Sequence, residues 1–460
     1  MLTHDQAQEI FSRVKRFSSA DEVEVLMAGG RSALTRFANN TTTQNVEEET
    51  YVLSIRSVLG GRTARATTNK WDDDSLRHAV ASSEALARVQ QADPDRLPVP
   101  GPEVFGHSGP QSIRAFAETA SLGPAERAQA VQKMVAVAKR HRLTAAGIFA
   151  NSESVEAVLN SRGLAAFHRQ TAAEASITML AEDSSGWQKA NVANVADLAP
   201  EHLAEIAAGK ARDSARPREL PPGPYTVILE PAAVLDLVGF MFWDWGGLAV
   251  LDQRSFLNNR IGTKLFGDNI TIYDDVYHPL QSGAPFDGEG VRRQRVQLVE
   301  KGVVKNLVYA RASAEKIKRS EWAGKTGEVR PTGHGFPVPN EMGEAPLNVV
   351  FQPAGPAVTL EAMIADTERG ILVTRLWYIR EVEPYEKILT GMTRDGTFYV
   401  ENGKLQYGLR NFRFNQSLIE LLAGVEQMTE PVRASGEESF DMVVPAMKVR
   451  RFHFTEVTKF

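Results

Sequence analysis

Nine histidines, His4, His78, His107, His141, His168, His202, His278, His334 and His453, are the side chains best suited to bind a metal or move a proton. A helix-borne metal site needs two of them one turn apart so that both rings face one ion, and no pair here has that spacing. None is followed by Glu, so no local zinc motif is present. His334 stands out because Gly333 and Gly335 on either side allow close approach of a ligand; its plain alternative is an exposed loop histidine. Asp274-Asp275 and Asp287-Gly288-Glu289-Gly290 could surround a hard cation, since glycine lets the chain wrap tightly. Turns closing hairpins between strands at 270–273 and 291–299 account for them more simply. The serines form no nucleophile elbow, and neither a Walker loop nor a dinucleotide fingerprint occurs. Cysteine is absent, which removes thiolate nucleophiles, zinc–thiolate sites and iron–sulfur clusters together.

The elements that would have to position these residues follow from periodicity. Helical spacing over 5–17 leads into an alternating strand at 23–28, a turn at Gly29-Gly30, and strand-like runs at 32–40, 50–58 and 62–67. Glu47-Glu48-Glu49 reads as a solvated loop. Asp72-Asp73-Asp74-Ser75 can cap a helix over 76–89, and its acidic start suits the helix dipole. The stretch 92–110 holds five prolines and three glycines and reads as a linker. Pro124 then opens a helix to 140. Strands at 147–152 and 154–159, a turn at Asn160-Ser161-Arg162-Gly163, and strands at 164–169 and 176–181 repeat the earlier logic. A helix at 198–212 precedes the sharpest break in composition, Arg216 to Pro224, which places a boundary near residue 220.

Beyond that break come a strand at 225–229, an apolar Trp-rich helix at 232–251, and a long strand-rich region. The expected fold class is therefore α+β: N-terminal antiparallel sheet units with covering helices, followed by a mostly β C-terminal domain. The divisions expected are 1–220, with possible subunits 1–97 and 115–215, and 221–460. The chain's 460 residues carry a net charge of −5, from 52 basic and 57 acidic side chains. No global positive field exists to attract phosphate backbones, so direct nucleic-acid binding is not expected. The first residues lack a basic start followed by an apolar run, which fits a cytoplasmic protein. The Trp-rich segment carries Asp236, Asp244 and three glycines, so it reads as a buried or interfacial helix and no membrane association is expected.

Near the end, Tyr407 to Ser417 alternates large apolar residues with Arg and Asn. As one strand it sets Asn411, Arg413 and Asn415 on one face and Phe412 and Phe414 on the other. One face packs; the other either pairs internally or holds a peptide backbone or carboxylate.

These residues, with several others in order, resemble the TldD/PmbA family. The resemblance is carried by Ser32 to Asn40, by Ser161-Arg162-Gly163 with Ser185-Gly186-Trp187, and by Pro285 to Val291, Leu298 to Asn306, Thr332-Gly333-His334 and Leu409 to Leu418. It implies a two-part α+β subunit assembled as a dimer around a cleft. In the TldD branch it implies a His-Glu-x-x-x-His helix that holds zinc for peptide hydrolysis, with a late Cys. The matching slot here is the helix around 235–250, where Gly239-Phe240-Met241-Phe242-Trp243-Asp244-Trp245-Gly246 supplies neither His nor Glu. The chain is thus similar to the TldE (PmbA) branch, which lacks the metal motif and pairs with TldD. That resemblance implies no cofactor in this chain, zinc in a TldD-like partner, and a heterodimer or homodimer that cleaves unfolded or modified peptides. Arg410, Asn411, Arg413, Asn415 and His334 are the candidate peptide-groove residues, with an extended substrate held by backbone hydrogen bonds to an exposed strand. Trp243 and Trp245 are candidates for the cleft wall or dimer interface. Two alternatives stand beside this reading: a stand-alone hydrolase or biosynthetic enzyme on the same scaffold, and a gyrase-modulating adaptor.

Overall fold

The computed structural model describes residues 1–103 and 114–458. The last part of the expected linker, 104–110 with His107, lies outside the described residues; 92–103 has no regular structure. The first half forms one six-stranded antiparallel sheet in the order β3-β2-β1-β4-β5-β6. Its strands are β1 (Glu22–Ala38), β2 (Thr41–Leu59), β3 (Arg62–Thr68), β4 (Thr144–Asn160), β5 (Ala165–Leu180) and β6 (Ser185–Val192). The two helix-plus-meander units share this sheet, because β1 of the first pairs with β4 of the second from Glu24↔Asn160 to Phe37↔Gly147.

The Gly29-Gly30 turn expected from sequence is not there: β1 runs straight through it, paired on both sides. A Cβ on Gly29 would lie 2.2 Å from the Thr50 carbonyl oxygen, and one on Gly30 would lie 2.0 Å from that of Glu153. With φ of +148° and +153°, these glycines let three backbones approach closely in mid-sheet, which no side chain would permit. The Glu47-Glu48-Glu49 loop is likewise strand, and all of Thr41 to Thr50 is exposed. On one face of the sheet Val23, Val25, Met27 and Phe37 alternate inward. That face is covered by α1 (His4–Phe17), α2 (Asp73–Val89), α4 (Pro124–Arg140) and α5 (Pro200–Asp213), with the one-turn α3 (Ala117–Ala120) between. The Asp72 cap is realised, its carboxylate accepting the Ser75 N–H at 2.9 Å.

The second half is built on two sheets. One has the order β10-β9-β8-β11-β18-β17, from β8 (Ile270–Asp274), β9 (Val296–Glu300), β10 (Val303–Val304), β11 (Val349–Pro353), β17 (Val432–Ala434) and β18 (Met442–Val444). The other comprises β7 (Gly223–Leu229), β12 (Arg369–Glu383), β13 (Ile388–Glu401), β14 (Lys404–Gly408), β15 (Phe412–Ser417), β16 (Val425–Met428) and β19 (Met447–Val457). Here the path β12-β7-β19-β15-β13 returns to β12, a closed ring with β14 and β16 attached. Closure removes open edges from these five strands over their paired lengths. Phe412, Phe414, Phe452 and Phe454 pack in the core with ring centroids 4.6–5.3 Å apart.

Two local expectations change. The 407–417 strand is interrupted, because the Arg410 N–H turns away to the Arg218 carbonyl at 3.0 Å. β14 and β15 then pair with different stretches of β13. The Trp-rich helix is three pieces: α6 (Pro231–Val238), a 3-10 turn over Gly239–Asp244, and α7 (Gly247–Leu251). No described helix is long and apolar enough to cross a membrane. The whole is α+β, with antiparallel strands at the N-terminus and a β-rich second half.

Candidate functional site

The slot begins where β7 delivers the chain to Pro231, whose fixed φ suits the first position of α6. Every α6 residue from Ala233 to Val238 is buried. Asp236 is the exception to its apolar character: Oδ1 accepts the N–H groups of Glu437 at 3.2 Å and Glu438 at 3.0 Å, which fastens the helix to that loop. Burial pushes this carboxyl up to about 7, against the pull of those two N–H bonds. At Gly239 the loop closes in, and a Cβ there would lie 1.8 Å from Ser439 Oγ. No side chain fits at that position without moving Ser439.

The next two aromatics part company. Trp243 is 47% exposed, stacked on Phe336 with centroids 6.3 Å apart, and edge-on to Phe440 at 6.4 Å. These three rings make an aromatic wall beside the slot. Trp245 points the other way, is fully buried, and donates its indole N–H to the Asn306 carbonyl at 3.1 Å. It belongs to the core, with Phe242 and Phe256, and takes no part in a cleft wall or interface.

His334 is also buried, at 1% exposure, where the sequence allowed an exposed loop. Nε2 lies 2.9 Å from Asp274 Oδ1 and Nδ1 lies 2.9 Å from Thr332 Oγ1, so both ring nitrogens are engaged. Burial raises Asp274, but the charge and hydrogen bond of His334, the charge of Arg293 and the Asn348 N–H together hold it below the usual carboxylate range. This closed dyad does not reach a groove. Asp287, expected at a turn or cation site, accepts the N–H groups of Glu289, Val291 and Gly335 and so fixes the loop that carries the histidine. Asp275 accepts the Tyr277 N–H at 2.9 Å in a turn of its own.

The remaining groove candidates lie at and before β15. Arg410 and Asn411 line a cavity of about 300 Å³ with Asp183, Ser214, Pro217 and Asp395. The Asn411 Oδ1 already accepts the hydroxyls of Thr393 at 3.2 Å and Thr397 at 3.4 Å. Arg413 and Asn415 are exposed while Phe412 and Phe414 are buried, as the alternation required. Arg413 lies 3.9 Å from Glu456 and Arg410 3.4 Å from Glu219, both exposed pairs. β15 sits between β13 and β19, so its backbone offers no free edge for strand addition. The contacts that sequence reasoning missed are Ser439, Phe440 and Phe336, isolated residues in loops with no periodic signal.

Zinc has no set of ligands in the slot. Gly239, Phe240, Met241, Phe242 and Trp243 offer no side-chain donor that suits it. Among the described residues, no group of three His, Cys, Asp or Glu side chains converges to hold a metal.

Family comparisons agree with this architecture. The PmbA/TldA metallopeptidase C-terminal domain matches residues 222–456, domain 1 of that family matches 23–87, and its central domain matches 118–215. Metalloprotease PmbA of Escherichia coli O157:H7 is 23% identical over 447 residues, covering 94% of this chain and 92% of the relative. The crystal structure of TldE from Thermococcus kodakarensis superposes with a TM-score of 0.85 at 20% identity, covering 98% of this chain and all of that one. A Thermotoga maritima structure described as a candidate modulator of a DNA gyrase superposes at 0.83 and 19% identity, with 98% of this chain and all of that one covered. With one family model spanning more than half of its length and two more matching the rest in order, the chain belongs to the PmbA/TldD metallopeptidase family.

Proposed function

We propose that this chain is a TldE-type subunit that completes the substrate cleft of a zinc peptidase whose metal is carried by a TldD-type partner. The observation that supports this best is the filled slot. Gly239 is pressed against Ser439 and Trp243 is stacked on Phe336, where a metal-binding member would need imidazoles and a carboxylate. The aromatic wall, with Trp243 exposed and Phe336 and Phe440 half-buried behind it, gives a peptide side chain an apolar surface without demanding a particular sequence. Arg413 and Asn415, exposed on β15, and Arg410, at the 300 Å³ cavity, supply side-chain contacts to a peptide backbone or carboxylate. In this reading the substrates are unfolded or modified peptides and the setting is the cytoplasm.

The test is cleavage of an unfolded peptide by the purified chain, by a TldD-type protein from the same organism, and by the mixture, each with and without a chelator. The expected result is cleavage that needs the mixture and is lost on chelation. Arg413→Ala should reduce it without changing thermal stability, since an exposed pair contributes about 0–1 kcal/mol. Cleavage by this chain alone would overturn the reading.

A further inference from the structure

A second cavity, of about 190 Å³, lies between the first sheet and the second half of the chain. β2 supplies Arg56 and β3 supplies Thr63; facing them are Glu289, Glu344 and the first turn of α8 (Arg311–Lys318). Phe336, which stacks on Trp243, lines this cavity too, so the space lies directly behind the aromatic wall. Three buried polar atoms of its lining lack a well-formed hydrogen bond: Arg56 Nε, Thr63 Oγ1 and Glu344 Oε2. The larger cavity beside Arg410 has none. Buried polar groups are almost always paired, so three orphans around one space point to an occupant that pairs them.

We infer that this cavity binds a small zwitterion of amino-acid or dipeptide size, its carboxylate on Arg56 and Thr63 and its ammonium on Glu344.

The two ends of the cavity carry opposite unbalanced charges. Arg56 is 5% exposed and donates to Glu24 at 3.0 Å, but Arg65 pairs with the same carboxylate, so two guanidinium groups share one acid. On the facing side Glu289 and Glu344 are 5% and 2% exposed, and Arg311 is the cation beside them, 3.7 Å from Glu289. There two acids share one guanidinium. Glu344 Oε1 accepts the Leu248 N–H at 2.8 Å; Oε2 stays open, although the Ser313 hydroxyl and the Ala310 N–H stand near the carboxyl. Burial pushes this carboxyl up to about 7, with the like charge of Glu289 adding to the rise, and an arriving ammonium supplies the opposite charge it lacks. An anion alone would leave Glu344 uncompensated and a cation alone would leave Arg56 so. A metal ion does not fit, because no three ligating side chains converge among the described residues. The volume exceeds the roughly 30 Å³ share of one water and falls below the roughly 300 Å³ at which drug-sized pockets begin. Leu248, Phe336, Val338 and Pro339 add an apolar flank that suits an aliphatic side chain. Asp93, Asp95, Lys316 and Asn340 are exposed at the rim, which gives a small ligand a way in.

The inference stands apart from the proposed cleft, because binding is read on the full purified chain without a partner. The probes are L-leucine and L-alanyl-L-alanine, beside isocaproate and isoamylamine, which are leucine without its ammonium and without its carboxylate. Calorimetric titration should show one equivalent of L-leucine or of the dipeptide bound per chain, with a matching rise in the unfolding midpoint. Isocaproate and isoamylamine should each bind roughly tenfold more weakly or worse, since each leaves one buried charge unpaired. Glu344→Gln keeps an acceptor for the Leu248 N–H but removes the charge; it should weaken L-leucine roughly tenfold while isocaproate loses nothing. Thr63→Leu pushes an extra aliphatic group into the cavity without touching a charge and should abolish binding with the midpoint of the free chain kept, so the test survives if Glu344→Gln folds poorly. No binding of either zwitterion would mean that the cavity holds water only and would overturn the inference. Equal binding of leucine and its two single-charge analogues, or leucine affinity indifferent to Glu344→Gln and Thr63→Leu, would overturn it as well. None of these results bears on whether a partner mixture cleaves peptides.

Discussion

Replacing His334 with Ala tests whether the histidine that the sequence singled out holds the fold or handles substrate. In the structure it is closed from solvent and bonded at both nitrogens, to Asp274 and Thr332. Removing the ring leaves a fully buried carboxylate with the Asn348 N–H at 2.7 Å as its remaining hydrogen-bond donor. Losing one partner of a buried charged pair costs about 3–5 kcal/mol. At roughly 2–4 °C per kcal/mol for a unit of a few hundred residues, the midpoint should fall by about 6–20 °C. The pH dependence has a definite sign. Asp274 is held low in the wild type, so its contribution is present above the unfolded value near 4 and fades as pH falls through the folded value. Without His334, burial dominates and the carboxyl rises, so the deficit of the variant should grow as pH goes from about 4 to 7. Replacing both residues with leucine should cost less than His334→Ala alone, because no charge is then left buried. The assay is thermal unfolding followed by circular dichroism at several pH values, beside peptide cleavage in the partner mixture. A midpoint within about 2 °C of wild type, combined with loss of cleavage, would refute the structural role and return His334 to the groove.

Four further outcomes follow from the packing. Gly30→Ala should abolish or severely destabilise the first sheet, since its Cβ would meet the Glu153 carbonyl oxygen at 2.0 Å; soluble yield and the unfolding midpoint are the readouts. Asp236→Asn should stabilise the protein at pH 8 by about 1–3 kcal/mol and leave it unchanged near pH 4. The reason is that a carboxyl raised to about 7 contributes fully below its unfolded value and loses that contribution as pH rises through 7; equal effects at both pH values would contradict this. Trp245→Ala should cost about 3–5 kcal/mol by opening a core cavity. Trp243→Ala should cost about 1 kcal/mol yet lower partner-dependent cleavage, and the reverse order would displace the aromatic wall from the site.

Much of the architecture was legible because it is written locally. Periodicity and caps placed the covering helices, with Asp72 and Pro124 at the starts of two of them. Period-two alternation placed Phe412 and Phe414 inside and Arg413 and Asn415 outside. What misled was chemistry with two meanings. A Gly-Gly pair marks a turn when the chain is alone and a close passage when strands flank it on both sides, and Gly29-Gly30 is the second case. A triple glutamate is a solvated loop or an exposed strand edge, and only pairing with β1 decides which.

For the site, the sequence alone showed that Gly239 to Trp243 carry no imidazole, thiolate or carboxylate, with the carboxylates of Asp236 and Asp244 on either side of them. It could not determine which aromatic faces outward, because Trp243 and Trp245 are two apart on a segment that breaks from α-helix to 3-10 turn, where helical periodicity no longer applies. It could not show that His334 is closed in, since that depends on Asp274, sixty residues earlier in the chain. Nor could it reveal that β15 lacks a free edge, which follows from its pairing with β13 on one side and β19 on the other. Local preferences are carried by neighbouring residues and can be read from them, whereas burial and strand adjacency are decided by contacts between distant segments and exist only in the folded chain.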